Sequence, residues 1–296
     1  MKLLKKFLES PPTEEASKIA YGGTDVGKTR TMNEDYFWIN WDKNLFIVAD
    51  GMGGHNAGEV ASRNAAKEVD SYLTQELLTE IRGDNRKIRE VIIKGLIHAH
   101  DKIKEMADKN TNYEGMGCTI VEALIIKNDL HLGHVGDARA YICDENGINL
   151  LTIDHSFVME LVQKGKLTLE EARVSPMKNK LNQAIGASKP INPDYKYCAL
   201  KEGDKILLCS DGLWDMLSDQ QIFAVLRQDK PVQKLCETLI KMANDAGGHD
   251  NITALVIHHQ EKAETPATPK PEDTEFYEKS GEYSFVFDDS DSEKGE

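Results

Sequence analysis

Three apolar, β-prone segments, 119–127, 130–135 and 139–143, follow one another, separated by Asn128-Asp129 and by a short link that begins Gly136-Asp137. Such short links suit antiparallel neighbours, since a parallel crossover needs a dozen residues or more. An antiparallel meander is therefore expected here, ending at Asp144-Glu145-Asn146-Gly147 after Cys143. Further strands are read at 36–39, 45–49, 205–209 and 252–258. Apolar residues recur every three or four positions from Val60 to Leu73 and from Ile88 to Met106, the spacing of one helix face. A third helical stretch covers 232–243, whereas 156–188 is polar and helix-prone with a thin apolar stripe and reads as an inserted lid. Strands come in runs and helices in long stretches, which favours α+β layering over a wound βαβ sheet.

The chain has 296 residues, enough for one large domain with some additional sequence but not for two full enzymes. Its longest uninterrupted apolar run, Leu45-Phe46-Ile47-Val48-Ala49, is far short of the roughly 20 residues of a membrane helix. Met1 to Leu8 is basic without an apolar stretch behind it, so no secretory signal is read and a cytoplasmic location is expected. Cys118, Cys143, Cys198, Cys209 and Cys236 contain no Cys-x-x-Cys pair, which argues against a zinc ribbon or a disulfide framework. The net charge is −14, but the segment 260–296, with twelve acids and four lysines, accounts for −8 of it. That segment opens on Thr265-Pro266-Ala267-Thr268-Pro269-Lys270-Pro271 and is expected to be disordered, serving either as a solubilising tail or as a docking segment through Phe276-Tyr277 and 283–287. An acidic body with an acidic tail lacks the basic footprint that nucleic acid requires.

Four aspartates share a context. Asp50 in Val48-Ala49-Asp50-Gly51, Asp137 in Val135-Gly136-Asp137, Asp211 in Cys209-Ser210-Asp211-Gly212 and Asp250 in Gly248-His249-Asp250-Asn251 each stand at a strand end. If the strands lie side by side, their carboxylates converge, and like charges sharing a site raise one another's pKa unless a cation joins them. Oxygen-only ligands suit Mg²⁺ or Mn²⁺ far better than zinc, and a two-metal site follows. Asn33-Glu34-Asp35 adds two acids, and Arg30 supplies the side chain best shaped to grip a phosphate.

A competing motif lies nearby. Gly22-Gly23-Thr24-Asp25-Val26-Gly27-Lys28-Thr29 satisfies the P-loop pattern of an NTPase. Its context is wrong: no buried strand is read before Gly22, and the residues after Thr29 are polar and then strand-like, whereas a P-loop needs a helix N-terminus there.

In order and spacing, TDVGKTRTMNEDYF, VADGMGGHNAGEVAS, GMGCTIVEALI, HVGDARAY, DHSFVMELVQKG, LLCSDGLWDML and GGHDNITALVI resemble the motifs of the metal-dependent protein phosphatases (protein phosphatase 2C), in their compact bacterial form. The resemblance covers about residues 18–259, leaving 1–17 as an N-terminal extension and 260–296 as a tail. It implies an α-β-β-α sandwich of two antiparallel sheets, with 156–188 as a flap beside the active site. It also implies a serine/threonine phosphoprotein phosphatase in which a metal-activated water attacks phosphorus in line without a phosphoenzyme. Asp50 would bridge two Mn²⁺ or Mg²⁺ ions and the Gly51 carbonyl would bind one of them. Asp211 and Asp250 would complete the first shell, Asp35 with Glu34 acting through water would hold the second ion, and Asp137 with Asp211 would take a weaker third. Arg30 would clamp the phosphate.

Animal members of the family place a histidine directly after the Asp-Gly pair. Here Met52 stands there and His55 follows three residues later, as the candidate general acid or else a histidine that structures the loop. His98, His100, His131, His134, His258 and His259 have no cysteine or carboxylate partner at zinc spacing, and most are read as structural or exposed. A monomer acting on phosphorylated proteins, opposing a serine/threonine kinase, is the implied setting. A catalytically silent phosphoprotein sensor is the alternative.

Overall fold

The computed structural model describes residues 19–54, 57–187 and 189–260. The N-terminal extension, the acidic segment 261–296 and His55 lie outside the described residues. The strands are β1 (Ala20–Asp25), β2 (Asp35–Asn40), β3 (Leu45–Met52), β4 (Gly117–Ile126), β5 (Asp129–Val135), β6 (Arg139–Asp144), β7 (Gly147–Leu150), β8 (Asp194–Ala199), β9 (Lys205–Cys209) and β10 (Ile252–His258). The α-helices are α1 (Ala57–Tyr72), α2 (Gln75–Ile81), α3 (Asn85–Lys109), α4 (Phe157–Gln163), α5 (Leu169–Val174), α6 (Asp211–Trp214), α7 (Asp219–Leu226) and α8 (Val232–Asp245). One sheet runs β1-β10-β9-β6-β7 and the other β2-β3-β4-β5-β8, with antiparallel pairing throughout.

Alternation along the strands builds three apolar layers. Val48, Val121, Ala123, Leu130 and Leu132 meet Ala140, Ile206, Leu208 and Leu255 between the sheets. Ile47, Ile120, Leu124 and Val135 face α1 and α3 through Ala61, Ala65, Val69, Ile92 and Leu96. Tyr141, Leu207, Ala254 and Val256 face α6, α7 and α8 through Leu213, Ile222, Leu235 and Leu239. β4 is buried along nearly its whole length because both of its faces are covered, so its sequence reads as a continuous apolar run. The expected α-β-β-α sandwich is the observed architecture.

The expected meander is corrected. β4 and β5 do pair, but β5 goes on to pair β8, while β6 belongs to the other sheet between β9 and β7. Gly136 is the turning point: its φ of +104° is open to glycine, and a β-carbon there would fall 2.4 Å from the Cβ of Thr119. Gly136-Asp137 is thus a crossing between layers, although in sequence it resembles a hairpin turn. The P-loop segment is accounted for as well, since Gly22 and Gly23 lie inside strand β1. A β-carbon on Gly22 would stand 2.5 Å from the Phe37 ring. The expected loop after Ala49 also starts late, because β3 continues through Asp50 and Gly51 to Met52.

Between β7 and β8 lie α4 and α5, capped by Ser156 and Thr168 and followed by irregular chain. The isolated bridge Ser156↔Leu181 closes this segment on itself, Cys118↔Ile185 ties it to β4, and Arg173 reaches the Trp214 and Leu217 carbonyls at 3.2 Å. No helix among the described residues is long and apolar enough to cross a membrane.

Candidate metal and phosphate site

The apolar strands deliver their acids to one end of the sandwich. Asp35 opens β2 directly opposite Asp50 near the end of β3. Asp137 precedes β6, Asp211 follows β9, and Asp250 precedes β10. The charges of Asp35, Asp211, Asp137 and Asp250 all bear on Asp50, and burial together with these neighbours pushes its carboxyl well above the ordinary range. Asp211 is raised in the same way, by burial and then by Asp137, Asp250 and Asp35. Burial pushes Asp35 up to about 6, in spite of the hydrogen bond it accepts from Ser210 Oγ at 2.7 Å. Asp137 is pushed up to about 7 by burial and the Asp154 charge, against the pull of Arg139.

Several small residues make this crowding attainable. Gly51 N donates to the Glu34 carbonyl at 3.1 Å, and a β-carbon on Gly51 would strike the backbone carbonyls of Gly58 and Glu34. Gly58, in the first turn of α1, donates to Glu34 Oε1 at 3.2 Å, and Ser62 Oγ donates to the Glu34 carbonyl at 2.6 Å. Helix α1 can approach so closely because its buried face is almost all glycine, alanine and serine. Glu34 itself is raised, chiefly by burial.

Sequence reasoning passed over the groups that position this cluster. Asn251 ties three segments together: its Oδ1 accepts from Glu34 N at 2.8 Å, and its Nδ2 donates to the Val26 and Met32 carbonyls at 3.0 and 2.8 Å. Ser210 Oγ accepts from Thr253 N at 3.0 Å while donating to Asp35. Arg139 binds Asp154 through two bonds, of 2.9 and 2.7 Å, and its guanidinium lies 3.6 Å over the Trp214 ring. The Trp214 indole in turn donates to the Asp137 carbonyl at 3.0 Å. The only signal for these roles was proximity to the strand-end aspartates.

Arg30 stands at the rim with about half of its side chain exposed, and its Nη2 bonds Asp250 Oδ2 at 2.9 Å. All the sequence-predicted site residues except His55 are thus placed at this end of the sandwich. Divalent cations fit the donors present. Asp35 Oδ1 and Asp211 Oδ1 are buried without a hydrogen-bond partner among the described residues, and the ligand atoms on offer are hard oxygens of carboxyls pushed up by burial and then by mutual repulsion. Asp35, Asp50, Asp211 and Asp250 would hold such ions.

Two of the histidines read as structural or exposed have acidic neighbours in the fold. His98 Nε2 lies 3.1 Å from Glu68, and His134, His155 and Asp194 form a group of their own; these partners come from distant segments, invisible to local spacing.

Comparison with known proteins agrees with this geometry. A family profile described as protein phosphatase 2C matches residues 23–255. Protein phosphatase PhpP of Streptococcus pneumoniae is 39% identical over 245 residues, 81% of this chain and 98% of that protein. A serine/threonine phosphatase structure from S. agalactiae superposes with a TM-score of 0.74 at 37% identity, covering 81% of this chain and 99% of that one. The catalytic domain of the serine threonine protein phosphatase PstP, solved in complex with two manganese ions, gives a TM-score of 0.70 at 31% identity, covering 81% and 96%. The chain belongs to the protein phosphatase 2C family and is a metal-dependent protein serine/threonine phosphatase of that family.

Proposed function

We propose that this phosphatase hydrolyses phosphoserine and phosphothreonine in proteins at the strand-end carboxylates, with Mn²⁺ or Mg²⁺ as its ions. The observation that carries the reading is the convergence of Asp35, Asp50, Asp137, Asp211 and Asp250 from five separate segments into a cluster whose charges repel. In this reading Asp50, the Gly51 carbonyl, Asp211 and Asp250 serve one ion, Asp35 and Glu34 a second, and Asp137 with Asp211 a weaker third. Bound ions would supply an acidified water nucleophile and charge stabilisation on the phosphoryl oxygens.

The protein's own groups do the rest. Arg30 exchanges its Asp250 bond for the substrate phosphate, binding and orienting it with paired donors. Ser210, Thr253 and Asn251 fix Asp35 and the Glu34 backbone so that the acids need not reorganise during turnover. His55 is the proposed proton donor to the departing serine or threonine oxygen. The two helices of the segment between β7 and β8 would act as the flap that meets the protein substrate. Five free cysteines, four of them buried, suit a reducing cytoplasm, where the chain would oppose a serine/threonine kinase.

Release of phosphate from a phosphothreonine peptide tests this directly. Activity is expected with Mn²⁺ and should disappear with EDTA or in Asp250→Asn. Turnover that persists in EDTA would overturn the reading.

A further inference from the structure

We propose that His134, His155 and Asp194 form a second metal site, selective for a transition ion such as Zn²⁺, that joins β5, the start of the segment between β7 and β8, and edge strand β8. It shares no residue with the carboxylate cluster and depends on neither the ions nor the activity assigned there.

A ring nitrogen of each histidine and a carboxylate oxygen of Asp194 lie within 4.8 Å of one another. The ligands of a filled tetrahedral zinc site stand about 3.3 Å apart, given Zn–N bonds of 2.0–2.1 Å. The group therefore needs its widest pair to close by at most about 1.5 Å. His155 Nε2 is already 3.3 Å from Asp194 Oδ2, and the two imidazole rings stack with centroids 4.7 Å apart and planes at 26°.

The donor set carries the choice of metal. Two imidazoles and one carboxylate suit zinc and its neighbours, whereas the all-oxygen cluster suits Mg²⁺ or Mn²⁺. His134 Nε2 donates to the Ile153 carbonyl at 2.9 Å, so its Nδ1 holds the lone pair; such a carbonyl partner commonly orients a metal-binding histidine. Burial and the neighbouring His155 push His134 down to about 4, leaving the ring neutral as a ligand must be.

His155 supplies an independent sign. Its side chain is 9% exposed, yet Nε2 has no aligned hydrogen-bond partner among the described residues, while Asp194, 46% exposed, opens the group to solvent. His155 Nδ1 accepts from Gly136 N at 3.2 Å, which puts the ring proton on Nε2, facing Asp194. When Nε2 takes a metal, that proton moves to Nδ1 and the Gly136 bond is given up. No net proton is released, and the residue beside Asp137 loses one of its restraints.

The test uses the tag-free full-length chain in the Asp50→Asn background, which cripples the carboxylate cluster, with excess Mg²⁺ present throughout. Zn²⁺ is titrated by calorimetry, and Co²⁺ is followed by its visible absorption as a probe of nitrogen ligation. One equivalent of each ion is expected to bind, with affinity falling at least tenfold on adding Asp194→Asn or His134→Gln. Asp194 is half-exposed at a strand end, so its variant keeps the test informative if the His134 change impairs folding. Failure of Zn²⁺ to bind in the Asp50→Asn background, or equal affinity with and without Asp194→Asn, would overturn the proposal.

Discussion

Glu122 is a buried acid with no catalytic assignment, and replacing it by leucine should make the protein more stable, increasingly so as the pH rises. Glu122 lies in the middle of β4, opposite Ile47 and Gly133, and is completely buried. A β-carbon on Gly133 would fall 2.5 Å from Ile92, 2.9 Å from Glu122 Oε1 and 3.0 Å from Leu96, which places the carboxyl between the sheet and α3. Neither oxygen has a partner among the described residues, and burial pushes the group up to about 8 from an ordinary 4.5.

The folded state therefore keeps a proton that the unfolded chain releases above about pH 4.5. Its contribution to stability is whole below that value and declines as the pH rises toward about 8. Each pH unit inside this window is worth about 1.4 kcal/mol. Between pH 5.5 and 7.5, the stability advantage of Glu122→Leu over wild type should grow by about 3 kcal/mol. Urea denaturation of both proteins at the two pH values, in EDTA, measures this. Packing changes cancel in the difference between pH values, and titration of the distant carboxylate cluster cancels between the proteins. An advantage that does not change with pH would refute the reasoning.

Two further outcomes follow from the site. Gly51→Ala puts a β-carbon against the Gly58 and Glu34 carbonyls and should cost about 1–3 kcal/mol while weakening Mn²⁺ binding, measured by urea denaturation and by Mn²⁺ titration of activity. Arg30→Ala should lower kcat/KM on a phosphopeptide by about a hundredfold. Its thermal midpoint should stay unchanged, because the Arg30–Asp250 pair is substantially exposed.

The layers and the acids were legible because apolar alternation and its abrupt end at an aspartate are local signals. Ile47-Val48-Ala49-Asp50-Gly51 carries both in five residues. Strand β1 was not legible, because Gly22 and Gly23 weaken strand propensity, and Gly22 leaves room for the Phe37 ring packed against it. The sheet change at Gly136 was hidden for a related reason: a two-residue turn and a crossing between layers use the same residues, and only the pairing of β5 with β8 separates them. Asn251 and the group of His134, His155 and Asp194 depend on contacts between segments far apart in the chain, which no local spacing announces.

The central claim is that carboxylates from separate strand ends act together as a metal centre. Calorimetric titration of the metal-free protein with Mn²⁺, for the wild type and Asp50→Asn side by side, tests it most directly. Two tight equivalents are predicted for the wild type, with at least one lost or weakened a hundredfold or more in Asp50→Asn. Equal Mn²⁺ stoichiometry and affinity in the two proteins would contradict the account.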